Sequence, residues 1–414
     1  MKVLLISANT ERSHMVTLPL GLGLVAEATR RAGHEVAFLD LLAASDPHQV
    51  LGEVLASTRP EVIGISIRNI DDQNRQEPHF LLEEAKWVVA GCRSASAAPI
   101  VLGGAGFSIF PREVLAYLKA DFGIRGDGER AFPMLLECVR KRSDPRAVPG
   151  VYAFGDEVDR GRAEADDLDA LPLWDATLLE NRRDDPESLW LPIQSRRGCP
   201  NDCSYCSTST IQGRRIRCRS SALLADELAA LERRGFHRFY FVDNSFNLPE
   251  SQAFDLCREI KERHLAITWR CILYPHLLSE ELVRAMAEAG CTEVSLGFES
   301  GSTRVLAEMN KRFRAEDVRR ASQLIEAYGI RRMGFLLLGG PGETRETVEE
   351  SLAFARSLHL EELKITVGIR IYPGTPLARR ALEEGLLRPE ESLLQPTFYL
   401  GPGLEPWIHE AVRA

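Results

Sequence analysis

Short apolar runs alternate with longer amphipathic stretches along the first 140 residues. Residues 2–7, 36–41, 62–67, 100–102 and 122–125 are rich in Val, Ile, Leu and Phe and are bounded by polar or glycine positions, the pattern of strands buried on both faces. Between them, residues 19–33, 50–57, 80–92 and 112–118 repeat apolar positions at helical spacing, and a further helix runs through Cys138. Five strands separated by helices predict an α/β domain over residues 1–140, a flavodoxin-like, doubly wound (Rossmann-type) parallel sheet. Ligands of such sheets lie beyond the C-terminal ends of the strands.

The pattern breaks over residues 141–190. Pro145, Pro149, Gly150 and the Gly155-Asp156 pair predict a small hairpin. The acidic run Glu164-Ala165-Asp166-Asp167, with Pro172 and Pro186, predicts an extended linker. A second series begins at Leu191, with strands expected at 191–194, 238–242, 267–271, 293–298, 334–338 and 364–371. Helices are expected at 222–234, 252–262, 280–289, 315–328 and 345–358. Six βα units predict a parallel (β/α)6 barrel, partly or fully closed, over residues 191–385, with its working residues at the strand C-termini. Residues 386–414, which carry Pro389, Pro396, Pro402 and Pro406, read as a tail that caps or flanks the barrel.

Composition narrows the classes. The chain of 414 residues is 44% hydrophobic and 27% charged, which suits a globular protein and not a disordered one. Its 51 basic and 60 acidic side chains leave a net charge of −9, which argues against a nucleic-acid partner bound by bulk charge. No apolar run approaches the roughly 18–20 residues of a membrane span. The opening residues lack the pattern of an export signal, so the expected location is the cytoplasm. There, nine cysteines point to metal binding or catalysis rather than to a disulfide framework. Cys92, Cys138, Cys257, Cys271 and Cys291 lie singly in apolar or helical surroundings and read as core packing. Cys199, Cys203, Cys206 and Cys218 crowd into one stretch.

Gly198-Cys199-Pro200-Asn201-Asp202-Cys203-Ser204-Tyr205-Cys206 directly follows the first barrel strand. Three thiolates spaced four and then three residues apart can converge on one centre from a single loop. A structural zinc site usually takes four ligands from paired knuckles, whereas three cysteines in one loop suit a [4Fe–4S] cluster with one iron left open. Cys218 would close the site as a fourth ligand, across a segment that carries Arg214, Arg215, Arg217 and Arg219. Both arrangements stay open on the residues alone.

This CxxxCxxC loop at the end of a first barrel strand, with Tyr205 before the third cysteine, resembles the radical S-adenosylmethionine (SAM) superfamily. The resemblance implies that Cys199, Cys203 and Cys206 hold the cluster and that the open iron takes the amino and carboxyl groups of SAM. It implies reductive cleavage of SAM to a 5′-deoxyadenosyl radical, with electrons from a donor such as flavodoxin or ferredoxin. Tyr205 beside the cluster, Asp243 and Asn244 after the second strand, Glu299 after the fourth and Gly340 after the fifth then become candidate SAM contacts, Glu299 for the ribose hydroxyls. Arg270 and Arg370 are candidate carboxylate partners. The turn Gly339-Gly340-Pro341-Gly342-Glu343-Thr344 is no phosphate-binding loop, because it lacks the Lys-Ser/Thr pair. Tyr372, just past the sixth strand, is a candidate catalytic residue.

A doubly wound domain ahead of such a barrel resembles the cobalamin (B12)-binding branch of the superfamily, which includes the class B methyltransferases. On that resemblance Ser66, Arg68 and Asn69 follow the third strand, Gly103, Gly104 and Ser108 the fourth, and Gly126 and Glu129 the fifth, as candidate cobalamin contacts. Many cobalamin domains carry Asp-x-His-x-x-Gly after the first strand; here that stretch reads Ala8-Asn9-Thr10-Glu11-Arg12-Ser13-His14, and His14 reads as a loop histidine. Arg68 or Asn69 is the candidate for the lower face of cobalt.

The resemblance implies methylation of an unactivated carbon of a small molecule or lipid through methylcobalamin. The alternative use of the same cofactors is a radical cyclisation or rearrangement without methyl transfer. A non-enzymatic cobalamin or redox sensor would lack SAM cleavage. Methylthio transfer to tRNA would need a second three-Cys cluster in the first domain, and no cysteine precedes Cys92. No substrate selector is legible.

Overall fold

The computed structural model of the protein describes residues 1–10, 18–173 and 189–413. His14 and Pro186 lie outside the described residues. The chain forms two compact units. The first is built on the N-terminal sheet, with Thr210–Gln212 added to it; the second takes the rest of the chain from residue 189 onward together with Gln73–Glu77.

In the first unit, six strands among the described residues form one sheet: β1 (Lys2–Ser7), β2 (Glu35–Asp40), β3 (Val62–Ser66), β4 (Ile100–Gly103), β5 (Phe122–Ile124) and β6 (Val151–Ala153), in the order β2-β1-β3-β4-β5-β6. The first five are parallel, and the pairing of β1 with β3, strands not consecutive in the chain, creates the doubly wound topology. The inner strands are apolar on both faces because helices cover both. Val3, Leu5, Val62, Val101 and Ile124 pack against Leu22, Ala26, Phe132 and Leu135 on one side. β6 adds an antiparallel edge beside β5. The hairpin expected around Gly155 therefore does not form: β6 finds its partner in the sheet, and Ala163 bridges to Gly126. Much of the expected linker is thus part of the first unit.

The second unit adds β7 (Leu191–Ile193), β8 (Arg196–Arg197), β9 (Arg217–Cys218), β10 (Arg238–Phe241), β11 (Thr268–Leu273), β12 (Cys291–Glu299), β13 (Arg331–Leu338), β14 (Glu362–Val367), β15 (Ile369–Arg370) and β16 (Phe398–Tyr399). Its main sheet is parallel throughout, in the order β14-β13-β12-β11-β10-β7. Successive strands are neighbours, and the terminal strands β7 and β14 are not paired with each other, so the barrel is partial. Trp269, Cys271 and Leu273 of β11 are buried, whereas Arg270 and Ile272 between them are half-buried, which places the two sets on opposite faces. From residues 386–413, Leu404 and Ile408 join a core of Phe298, Leu336, Val348, Leu352 and Phe354. Cys92, Cys257, Cys271 and Cys291 are buried in the two cores, while Cys138 is half-buried.

Candidate radical and corrinoid site

The cysteine loop is bracketed by a two-stranded ribbon. β8 pairs antiparallel with β9, Arg196 opposite Cys218 and Arg197 opposite Arg217. Gly198 turns the chain out of β8 with φ +93°, and a Cβ there would stand 2.0 Å from the Arg215 carbonyl oxygen, so only glycine fits. The Cys199 N–H then donates to Gly213 O at 3.0 Å, and the Cys206 N–H donates to Cys203 O at 3.2 Å, closing a turn that holds the last two cysteines together.

A second segment clasps this loop. Met309 O accepts from the Ser204 N–H at 3.0 Å, the Asn310 amide donates to Asp202 O at 3.0 Å, and the Arg312 guanidinium donates to Asp202 Oδ1 at 3.1 Å. Between them, Lys311 sends its ammonium inward to Glu299 Oε1 at 3.1 Å, and both side chains are nearly buried. Burial disfavours the Lys311 ammonium, but attraction to Glu299, Tyr205 and Cys203 outweighs it and lifts its pKa well above that of an ordinary lysine. Glu299 stands at the C-terminal end of β12, where a register break against β13 and a left-handed backbone (φ +61°) turn its side chain back over Gly297.

The three thiols are free, half-buried and within electrostatic reach of one another. Burial pushes Cys199 and Cys203 up, with Lys311 opposing. No group of three or more His, Cys, Asp or Glu among the described residues is drawn together as a closed metal cage. A loop with three thiols at one strand end, backed by a buried cation, nonetheless fits a thiolate-ligated cluster, whose negative charge that cation would offset. Cys218 stands apart: its charged neighbours are Arg196 and Asp243, and burial raises its pKa.

The first unit presents its own turns at the C-terminal strand ends. Ser66 and Gly103 are register partners at the ends of β3 and β4. Gly104 (φ +99°) lies so close to the β3 turn that a Cβ would meet Ile67 O at 2.4 Å. Gly103, by contrast, would place a Cβ in ordinary contact with Ile124 O at 3.9 Å, so its own chain does not crowd it. Arg68 and Asn69 are exposed beyond β3. This glycine-floored edge at the strand ends fits a large planar ligand.

Comparison with known proteins agrees in both halves. The model of the B12 binding domain matches residues 6–136, and that of the Radical SAM superfamily matches residues 193–355. The chain belongs to the cobalamin-binding radical SAM enzymes. It is 27% identical to an uncharacterized methyltransferase of Pyrococcus horikoshii over 94% of this chain and 84% of that one. It is 25% identical to the tryptophan 2-C-methyltransferase of Streptomyces laurentii over 91% and 74%. The solved radical SAM methyltransferase TsrM of Kitasatospora setae, with cobalamin and a [4Fe–4S] cluster bound, superposes with a TM-score of 0.80 at 25% identity, covering 92% of this chain and 74% of that one.

As a cobalamin-binding radical SAM enzyme of the methyltransferase branch, the protein uses a [4Fe–4S] cluster, SAM and cobalamin. No helix among the described residues is long and apolar enough to cross a membrane. Several residues singled out in the sequence prove to be committed within the chain. Asp243 is fully buried; it accepts from Ser195 N (2.9 Å), Ser195 Oγ (2.5 Å) and Arg196 N (3.1 Å) and lies 3.6 Å from the Arg196 guanidinium. Burial still pushes its pKa up. Its carboxylate pins the exit of β7, whereas Asn244 beside it is half-buried. Arg370 donates to Ile371 O and to Leu393 O and Leu394 O, so its guanidinium anchors the tail and covers Tyr372. Arg270 is stacked between Trp190 and Tyr240 and faces Glu293 at 3.6 Å.

Others sit where their neighbours fill the expected space. A Cβ at Gly340 would meet Met309 Cε at 2.6 Å, and one at Gly126 would meet Arg162 and Ala163, so both glycines make room for their own chain. The Ser108 hydroxyl donates to Gly104 O and accepts from Gly126 N, tying two of the turns together. Glu129 is buried in the first turn of the helix Gly128–Lys141. Tyr205 remains beside Lys311, whose ammonium lies 5.2 Å from its ring centre. Lys311 itself escaped the sequence analysis, since nothing in its local pattern distinguishes it from a solvated lysine in a helix-ending turn. Glu343 is a second omission. One of its oxygens accepts from the Gly339 and Gly340 N–H groups, the other is buried with no partner among the described residues, and burial raises the carboxyl to about 7.

Proposed function

We propose that Cys199, Cys203 and Cys206 hold the cluster, leaving one iron for SAM, and that the enzyme methylates an unactivated carbon of a small molecule. When bound, the cluster with SAM supplies a carbon-centred radical, and cobalamin supplies the methyl group. The observation that carries the reading is the three-thiol loop at the exit of β8, fixed by Gly198 and clasped by residues 309–312, with Glu299 turned toward it. Glu299 accepts from the ribose hydroxyls of SAM, and Tyr205 and Asn244 line the same strand-end face. Ser66, Gly103 and Gly104 form the floor for cobalamin, with Arg68 or Asn69 toward its lower face. Tyr372 borders the substrate. The names of the relatives, tryptophan 2-C-methyltransferase among them, support a small-molecule carbon acceptor. A flavodoxin or ferredoxin supplies electrons, and the free half-buried thiols suit the reducing cytoplasm.

Anaerobic reconstitution with iron, sulfide and hydroxocobalamin tests this. The expected result is one cluster and one corrinoid per chain in the visible spectrum, 5′-deoxyadenosine from SAM on reduction, and label in the product from methyl-deuterated SAM. An enzyme that binds no corrinoid overturns the reading; one that releases 5′-deoxyadenosine but never labels its product is a cyclase or rearrangement catalyst instead.

A further inference from the structure

Lys311 is the one member of its turn directed at Glu299. The turn begins where the helix Thr303–Glu308 ends: the Lys311 N–H donates to Leu306 O at 2.8 Å, and Asn310 takes a left-handed conformation (φ +58°). Met309, Asn310 and Arg312 all bond outward to the cysteine loop, and the Arg312 N–H also donates to the Tyr274 hydroxyl at 3.1 Å. With its neighbours so fixed, Lys311 extends between the rings of Tyr205 and Phe313 (5.2 and 5.8 Å from their centres) and meets Glu299 Oε1 at 3.1 Å.

Only 6% of the Lys311 side chain and 13% of that of Glu299 is exposed. A surface pair of this kind contributes little, but a buried ammonium incurs desolvation and rotamer costs that require a partner. The partner's conformation is itself constrained. Glu299 has a left-handed backbone and folds over Gly297, where a Cβ would stand 3.1 Å from its Oε1. The ammonium therefore occupies one carboxylate oxygen and leaves Oε2 for an incoming hydroxyl.

We infer that Lys311 is a positioning residue for SAM, acting through Glu299: it locks the carboxylate in the rotamer that accepts the ribose hydroxyls. This rests on the assignment of Glu299 made above. The clasp makes the lock part of the cysteine loop's own support, so the cluster loop and the ribose acceptor keep one spacing.

The test is equilibrium SAM binding to the anaerobically reconstituted holoenzyme, read by titration calorimetry and by the change in the electron paramagnetic resonance of the reduced cluster. Lys311→Met keeps the aliphatic stem and should weaken SAM binding about tenfold, at unchanged iron content, with Lys311→Arg recovering part of the loss. Glu299→Gln should weaken binding similarly, and the double variant should be no weaker than the worse single variant. Wild-type affinity in Lys311→Met beside a weakened Glu299→Gln overturns the inference alone. Additive losses also overturn it, since Lys311 would then act independently of Glu299, as does loss of iron in Lys311→Met, which would assign Lys311 to the cluster loop. Wild-type affinity in Glu299→Gln removes the assignment on which it stands.

Discussion

Gly198 lies against Arg215 so closely that the Arg215 carbonyl oxygen occupies the place a side chain at Gly198 would need. The contact fixes where the cysteine loop begins relative to where it ends. Gly198→Ala should therefore displace the loop, because a left-handed backbone and a backbone clash act together. We expect a loss of about 2 kcal/mol or more in apo-protein stability and incomplete cluster loading, measured by denaturant unfolding and by iron and sulfide content.

Cys218 lies across the ribbon from Arg196, with Arg196 and Asp243 as its charged neighbours. Cys218→Ser should load iron as the wild type does, whereas Ser at Cys199, Cys203 or Cys206 should each abolish the cluster absorption. Quantitation of iron after reconstitution of the four variants decides between a three- and a four-thiolate site.

Glu343 titrates about 7 in the folded chain against an ordinary value of 4.5, because burial outweighs its two backbone hydrogen bonds. A carboxyl raised in this way binds its proton more tightly when folded, so its contribution is present below pH 4.5 and is lost as pH rises to 7. Relative to Glu343→Gln, the wild type should lose up to about 1.4 kcal/mol of stability per pH unit in that window. Glu227, also raised to about 7 by burial, has the same sign and remains in both proteins, so the difference between the two unfolding profiles isolates Glu343.

Arg370 holds three carbonyls, two of them in the tail at Leu393 and Leu394. Arg370→Ala should cost about 1–3 kcal/mol and expose the tail to limited proteolysis after residue 390, while a protein with Arg270→Ala should resist the protease as the wild type does. Equal cleavage of both variants would deny Arg370 its anchoring role.

The alternation of apolar runs and helical patterns identified both parallel sheets, since strands buried on two faces are recognisable from composition alone. The spacing of Cys199, Cys203 and Cys206 was equally legible, because a local loop carries its own geometry. Polar residues at strand ends were harder. Asp243, Arg370 and Asn244 read alike in sequence, yet the first two hold the chain, and only their buried partners show it. Gly126 and Gly340 likewise read as space for a ligand, whereas Arg162 and Met309 fill it. Lys311 was invisible, because its role arises from a turn that packs on a loop 105 residues earlier in the chain, as in the hydrogen bond from Ser204 to Met309.

The remaining thiols bear on how the cluster is assembled. Cys257, Cys271 and Cys291 are sealed in the barrel wall, and burial holds Cys257 and Cys271 far above the range where thiolates form. Iron must reach a sulfur to bind it, so these buried thiols are silent while the fold is intact. Once the barrel has folded, iron delivered to the protein meets only the half-buried thiols. Loading after folding therefore selects its ligands by access, whereas iron supplied to an unfolded chain would find nine equivalent sulfurs.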